Sequence, residues 1–158
     1  MIRRTLKEIE EMVKGTELQS KYENLIIEGV STDSRKIKKN QLFIPLIGEN
    51  FNGHDFIQEA IKKGAIATLW TKNKPVPQID FPFILVEDTL TALQQLAKKY
   101  REQLDIKIIG ITGSNGKTST KDILDGLLSA RYKTQKTQGN FNNHIGVPLS
   151  ILYLREDT

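Results

Sequence analysis

The sequence predicts an α/β fold in two parts: a small α/β unit over residues 1–104 and the beginning of a second α/β domain over 105–158. Three observations predict it. Short apolar or β-branched runs are interspersed with amphipathic helical patterns. The longest helical pattern, which ends near Leu104, leads directly into another β-branched run. That run ends in a glycine-rich turn followed by Gly-Lys-Thr, which is typical of a phosphate-binding loop.

Composition narrows the class of protein. The chain has 158 residues, 38% hydrophobic and 27% charged, which is typical of a globular protein with one sizeable core or two small ones. No apolar run approaches the roughly 18 residues of a membrane span, and no secretory signal is predicted. The absence of cysteine excludes disulfides and thiolate sites, and fits the reducing cytoplasm that we predict as its location.

Charge patterning argues against nucleic acid as a partner. The net charge is +4, from 23 basic and 19 acidic residues, and the basic residues are scattered among the acidic ones. A mildly basic surface also suits a small polyanionic substrate. We therefore expect neither nucleic acid nor membrane as a partner.

In the first unit, capping signals and periodicity predict three helices. Thr5 followed by Glu8 is a capping box, Asp88 or Thr89 can cap a long helix, and Gly64 is a helix stop. Pro45 places its strand at a sheet edge or in an irregular position. The predicted elements in chain order are a helix at 5–14, strands at 25–27 and 42–47, a helix from Asp55 to Gly64, strands at 65–70 and 83–86, and a helix at 89–104.

Two polar features of this unit have open interpretations. Residues 31–35 read Ser-Thr-Asp-Ser-Arg, whose side chains could bind a nucleotide or a sugar. They could equally form a turn in which Asp33 and Ser34 bond nearby backbone, and on these residues alone the turn is favoured. His54 could contact a ligand or cap the helix that follows, but an isolated histidine is more often structural.

The second part begins with a predicted strand at 106–111, a turn at 112–116 and an amphipathic helix. Glycines let backbone N–H groups approach a phosphate, and the helix start directs its free N–H groups to the same place. Lys117 supplies a positive charge for the β/γ-phosphates, and the Thr118 hydroxyl can ligate Mg²⁺. Ile111 occupies the position where the usual motif has its first glycine. The alternative is that Gly-Lys-Thr merely starts a helix.

A second strand is predicted at 132–137, and a helix at 147–154. Between them lies a segment rich in asparagine and glycine, over 138–148. Loops at the carboxyl ends of strands are where open α/β sheets bind ligands, and asparagine amides both donate and accept hydrogen bonds. A solvated loop is an equally good interpretation of this composition.

Three motifs together resemble the Mur ligase family, the ATP-dependent amide-forming enzymes of peptidoglycan precursor synthesis, across nearly the whole chain. Thr-Asp-Ser-Arg at 32–35, with the segments 42–49 and 53–56, resembles the family's uridine-nucleotide-binding domain. Thr-Gly-Ser-Asn-Gly-Lys-Thr-Ser at 112–119 resembles its ATP loop. Gly-Asn-Phe-Asn-Asn-x-Ile-Gly-Val-Pro at 139–148 resembles the form found in members that add D-alanyl-D-alanine.

The resemblance implies a uridine-nucleotide-binding domain over 1–104, followed by the start of a Rossmann-like P-loop ATPase domain over 105–158. It also implies a role for individual residues. Lys117 would be catalytic and Thr118 the Mg²⁺ ligand. His144, where the family pattern has an acidic residue, is a departure. The implied substrate contacts are Thr32, Asp33, Ser34, Arg35, Gly53, His54 and Asn142, and the implied ATP contacts are Thr112, Gly113, Ser114, Asn115, Gly116, Lys117, Thr118, Ser119, Asn140 and Asn143.

The implied reaction has two steps. A carboxylate of a UDP-N-acetylmuramoyl-tripeptide attacks ATP to form an acyl phosphate, and the amine of D-alanyl-D-alanine then displaces phosphate. The family's acidic Mg²⁺ ligand and third domain would lie beyond Thr158, so we expect this chain to be an inactive, monomeric piece of a longer protein. The alternatives are a sister ligase, for the third peptide residue or for folate polyglutamate, a non-catalytic nucleotide-binding module, and a purely structural domain.

Overall fold

The computed structural model describes residues 1–139 and 141–158, and its fold is mixed α/β as predicted. Two short 3₁₀ turns, at Ser20–Tyr22 and Gly53–Phe56, accompany the regular elements. In chain order these elements are β1 (Arg3–Thr5), α1 (Leu6–Val13), β2 (Ile26–Glu28), β3 (Val30–Ser31), β4 (Leu42–Phe43), α2 (Ile57–Lys63), β5 (Ala67–Thr71), β6 (Phe83–Val86), α3 (Thr89–Glu102), α4 (Lys117–Ser129) and α5 (Gly146–Leu152).

The central feature is a four-stranded parallel sheet in the order β3-β4-β5-β6, beside an antiparallel pair of β1 and β2. Because all four strands are parallel, their carboxyl ends lie on the same side of the sheet. We call this side the carboxyl edge, and it is where ligands bind in open α/β sheets. The segments that follow β3, β4 and β5 therefore lie along the same edge. The strand β4 lies between β3 and β5, so it is not an outer strand of the sheet. It ends at Phe43, and Pro45 follows in an irregular position.

The predicted helix caps are confirmed. Thr5 Oγ1 accepts from the backbone N–H of Glu8, and the Glu8 carboxylate accepts from the backbone N–H of Thr5. Asp88 accepts a hydrogen bond of 2.8 Å from the backbone N–H of Thr91 at the start of α3. At the end of α2, Gly64 adopts a φ of 117° and stops the helix.

The larger hydrophobic core includes a residue from the far end of the chain. Leu152, in α5, is 1% exposed and packs in the same cluster as α1, α3 and the sheet. The Ile2 N–H donates to Leu152 O (2.7 Å), and the Tyr100 hydroxyl donates to Leu154 O (2.9 Å). The helix predicted at 147–154 is therefore confirmed, and it completes the core of the first unit. We call residues 1–104 together with 146–154 the packed body.

A smaller cluster covers the opposite side of the sheet. It includes Phe43 of β4, Trp70 of β5 and Phe83 of β6, and the helix α2 contributes Ile57 and Ala60. The rings of Trp70 and Phe83 meet edge to face, with centroids 5.4 Å apart. Trp70 is therefore a core residue, as the sequence predicts.

The predicted strands at 106–111 and 132–137 are wrong. Neither segment forms a strand, and every described residue of 105–139 is exposed or half-buried. A strand needs a neighbouring backbone for its hydrogen bonds, and in the described residues the sheet takes no strand from beyond Val86. We call 105–139 the exposed stretch. Among the described residues, no helix is both long and apolar enough to cross a bilayer.

Candidate functional site

The glycine-rich turn before α4 has the backbone conformation that the sequence predicts. Gly113 and Gly116 have φ values of 150° and 76°, which L side chains rarely adopt. A Cβ added at Gly116 would meet no atom within 4 Å, so backbone conformation rather than packing calls for glycine there.

The start of α4 leaves several amides available. Gly116 caps the helix without a side-chain hydrogen bond, and the first backbone bond of the helix runs from Thr120 N to Gly116 O at 2.9 Å. The N–H groups of Lys117, Thr118 and Ser119 therefore lie at the open, positive end of the helix dipole. Such an end favours an anion.

These residues line a depression of about 510 Å³. Asn142, from the asparagine-rich segment, contributes to the same wall, so the structure brings this predicted substrate residue next to the predicted ATP loop. The Lys117 ammonium donates a hydrogen bond to Gly113 O across the turn. Thr112 begins the turn. The lining residues are Ser114, Asn115, Gly116, Lys117, Thr118, Ser119 and Asn142.

The other two asparagines have different positions. Asn143 Oδ1 accepts hydrogen bonds from the backbone N–H of Ile145 (3.1 Å) and of Gly146 (2.7 Å), so this side chain supports the start of α5. Its contact with a nucleotide stays a prediction. Asn140 lies outside the described residues.

The polar segment 32–35 follows β3 and forms a tight turn. The Arg35 guanidinium donates two hydrogen bonds of 3.0 Å to the Asp33 carboxylate, which lowers the Asp33 pKa. The Ser34 hydroxyl donates to Glu59 of α2 at 3.0 Å. Thr32 lies in the same turn, at the carboxyl edge of the sheet. The Asp33 carboxylate also accepts from the backbone N–H of Arg35 (3.0 Å), as in the turn that the sequence favours. The predicted bond from Ser34 to nearby backbone is wrong, because its hydroxyl bonds Glu59 instead. Ligand contact at these four residues stays a prediction.

Gly53 and His54 follow β4 at the same edge. A Cβ at Gly53 would lie 2.8 Å from the Leu46 backbone, so this position has no room for a side chain. His54 is only 4% exposed, and burial lowers its pKa to about 4. Its two ring nitrogens are hydrogen-bonded to Asn52 and Thr71. This geometry favours the structural interpretation of His54, and a direct substrate contact stays a prediction.

Sequence reasoning missed Asn52, Glu59 and Thr71, which hold these residues in place. Ser34 and Glu59 are 25 positions apart, and His54 and Thr71 are 17 apart. Neither pair has a local sequence signal, because only the parallel strand crossovers bring them together.

Comparisons with known families and solved structures show what the chain is similar to. The family model "Mur ligase family, catalytic domain" matches residues 26–101, and "Mur ligase middle domain" matches 111–158. Among solved structures, a crystal structure of MurF from Acinetobacter baumannii aligns over 99% of this chain and 34% of that one, with a TM-score of 0.88 and 32% identity. MurF from Thermotoga maritima in complex with ADP aligns over 79% of this chain and 29% of that one, with a TM-score of 0.69 and 36% identity.

Two curated relatives share one name. The UDP-N-acetylmuramoyl-tripeptide–D-alanyl-D-alanine ligase of Bacillus subtilis (strain 168) is 54% identical over the whole of this chain. The ligase of the same name from Escherichia coli (strain K12) is 40% identical over 98% of it. The chain spans 35% of the first relative's length and 33% of the second's. The chain belongs to the Mur ligase family.

Proposed function

We propose that these residues form part of an ATP-dependent ligase that joins D-alanyl-D-alanine to a UDP-N-acetylmuramoyl-tripeptide. The observation that carries the proposal is 54% identity, along the whole chain, to a ligase of that name. The glycine turn and the open start of α4 supply a site that fits the phosphates of ATP.

In this proposal Lys117 neutralises negative charge on the β/γ-phosphates as the phosphoryl group moves. Its ammonium already lies against the glycine turn, on Gly113 O. The amides at the start of α4 would hold the phosphate oxygens, and the Thr118 hydroxyl would bind Mg²⁺, which would offset charge on the same phosphates. Asn142, on the wall of the depression, is placed to contact the substrates.

The reaction proposed for the whole ligase has two steps, and each step has a defined leaving group. The terminal carboxylate of the tripeptide attacks the γ-phosphorus of ATP, giving an acyl phosphate and releasing ADP. The amine of D-alanyl-D-alanine attacks the acyl carbon, and phosphate leaves as the amide forms. Activation is required because a free carboxylate is a poor acyl donor. This step belongs to peptidoglycan precursor synthesis, and we propose a cytoplasmic location for the protein.

The uridine end of the precursor is proposed to bind at the carboxyl edge of the parallel sheet. The segments after β3 and β4 both reach this edge, and they carry Arg35 and Gly53. The guanidinium of Arg35 is largely exposed although it is paired with Asp33, so it can exchange that partner for a phosphate. Because the ATP loop is carried by a different segment, the two ligands are expected to bind independently.

Titration calorimetry with the 158-residue chain tests this proposal. Lys117→Ala is expected to weaken Mg·ATP binding at least tenfold and to leave binding of the UDP-N-acetylmuramoyl-tripeptide unchanged. Lys121→Ala is the matched control, because Lys121 lies on the same helix and donates to Thr137 O (2.9 Å) outside the depression. Equal weakening of ATP binding by both variants would contradict the assigned role of Lys117.

The same titrations distinguish the competing functions. A non-catalytic nucleotide module would bind Mg·ATP and give no heat with the uridine precursor. A purely structural domain would bind neither ligand. Binding of both ligands, with only the ATP site sensitive to Lys117, is the result that we expect for a ligase.

A further inference from the structure

His54 connects a loop to the end of a strand at the carboxyl edge of the sheet. Its side chain lies between Asn52, which follows β4, and Thr71, the last residue of β5. The imidazole packs edge to face on Trp70, with ring centroids 4.6 Å apart. Because each ring nitrogen has a defined polar partner, this buried ring can fix the relative position of the two elements that carry those partners.

The hydrogen bonds determine which nitrogen carries the proton. The Thr71 backbone N–H points at Nε2 over 3.3 Å and can only donate, so Nε2 must be the acceptor. Nδ1 then carries the proton and donates to Asn52 Oδ1 at 2.8 Å. The neutral Nδ1–H form satisfies both partners. A protonated ring would direct its Nε2–H at the N–H of Thr71, and only the Thr71 hydroxyl, 3.0 Å from Nε2, could accept it.

The loop that His54 holds is closed by its own backbone and buries little apolar surface. Residues 47–52 form a tight turn closed by the bonds from Gly48 N to Phe51 O (2.9 Å) and from Gly53 N to Leu46 O (2.7 Å). Ile47 and Phe51 are largely exposed, so the turn gains little from burial. Asn52 Oδ1 also accepts from the His54 backbone N–H at 3.0 Å, which makes this amide the junction between the loop and the ring.

We propose that His54 is a positioning residue, whose neutral Nδ1–H ring fixes the 47–52 loop to the end of β5 and so shapes the binding edge without touching the ligand. The ligand part of this inference rests on the proposed function, since it takes that edge as the site for the uridine end. Protonating the ring removes the acceptor of the Thr71 backbone N–H and leaves the Thr71 hydroxyl as the one partner of Nε2, which weakens the connection between the loop and β5.

The groups around the ring set the pH at which this occurs. Burial disfavours the charged ring most, and Lys74, just beyond β5, disfavours it further. Asp55, the next residue along the chain, acts in the opposite direction. Asn52, Trp70 and Thr71, the ring's direct contacts, are uncharged. The connection is therefore intact throughout the neutral range and weakened in acid, near a pKa of about 4.

The single tryptophan provides a direct readout. Protonated imidazole quenches indole fluorescence on contact, so the emission of Trp70 should fall with a midpoint near pH 4. In a His144→Gln background, which leaves His54 as the one histidine, ¹⁵N spectra at pH 7 should give a single neutral form with the proton on Nδ1. A proton on Nε2 at pH 7 would overturn the proposal.

Two substitutions separate positioning from volume. Asn52→Asp keeps the acceptor and adds a negative charge, so the midpoint of the fluorescence change should rise by about one to three pH units. His54→Phe keeps a ring of similar size but removes both hydrogen bonds. The fluorescence transition should disappear, and amide exchange in 47–52 should accelerate at least tenfold while exchange in α3 stays unchanged.

Ligand binding completes the test. His54→Phe should weaken binding of the UDP-N-acetylmuramoyl-tripeptide about tenfold and leave Mg·ATP binding as it is. If the unaltered chain does not bind the precursor, the proposed function loses its uridine site, and the positioning role is judged by the tautomer and the exchange rates alone. Unchanged exchange in 47–52, or a fluorescence midpoint that ignores Asn52→Asp, would overturn the role of His54.

Discussion

The helices α3 and α4 have similar lengths, 14 and 13 residues, and each carries an apolar stripe, yet their surroundings differ completely. Six residues of α3 are buried, among them Leu93, Leu96 and Tyr100, whereas no residue of α4 is buried. Leu127 of α4 is 70% exposed. The comparison teaches that an amphipathic pattern predicts a helix but does not determine what covers it.

The N-termini of the two helices also differ in their capping. Asp88 satisfies the first turn of α3, whereas Gly116 leaves the first turn of α4 without a side-chain cap. A capping side chain at this position would compete with a phosphate for the same amides. The uncapped start therefore gives up stability at the place where the proposed function needs free donors.

A matched pair of leucines tests the contrast most strongly. Leu152→Ala should lower the free energy of unfolding by about 2–5 kcal/mol, because it leaves a cavity in the packed body. Leu127→Ala, in the exposed stretch, should change it by less than about 0.5 kcal/mol. Urea denaturation of both variants measures the difference, and similar losses would mean that α4 is packed in solution.

The second prediction concerns pH and the packed body alone. The His54 pKa falls from 6.5 to about 4 on folding, so its neutral form stabilises the fold fully above pH 6.5. That contribution, about 3 kcal/mol, is lost as the pH falls from 6.5 to 4. The difference in unfolding free energy between the unaltered chain and His54→Phe should shrink across this window. A difference independent of pH would place the folded-state pKa near its ordinary value.

The smallest expected effect is at the helix starts. Asp88→Ala should lower the free energy of unfolding by about 1 kcal/mol, because the N–H of Thr91 loses its acceptor. Ser114→Ala, just before α4, should change it by less than about 0.5 kcal/mol. Thermal unfolding followed by circular dichroism compares the two, and a larger loss at Ser114 would reverse the contrast between capped and uncapped helices.

Local signals predicted much of the packed body. The capping box at Thr5, the stop at Gly64 and the strand at 83–86 all appear where the residues indicate them. The predicted strand at 106–111 failed for a non-local reason. Its isoleucines have the right propensity, but a strand also requires a paired neighbour, and propensity carries no information about that neighbour.

In the candidate site, too, features set by local backbone could be predicted and features set by distant residues could not. The turn at 112–116 could be predicted, because its glycines and the lysine after it act through local backbone conformation. The burial of His54 could not, because it depends on Thr71 from another strand. The two bonds that Asn143 accepts before α5 were missed, because the sequence indicates only a polar loop at this residue.

The packed body contacts the chain at both ends of the exposed stretch. Arg101 holds Leu104 O and Ile106 O at 3.2 and 3.1 Å, and α5 returns the chain to the face of α3. The exposed stretch is therefore an insertion whose two ends are both attached to the packed body. Such an insertion can be replaced, so a foreign nucleotide-binding loop could be grafted between the two attachment points while the packed body keeps its sheet and core.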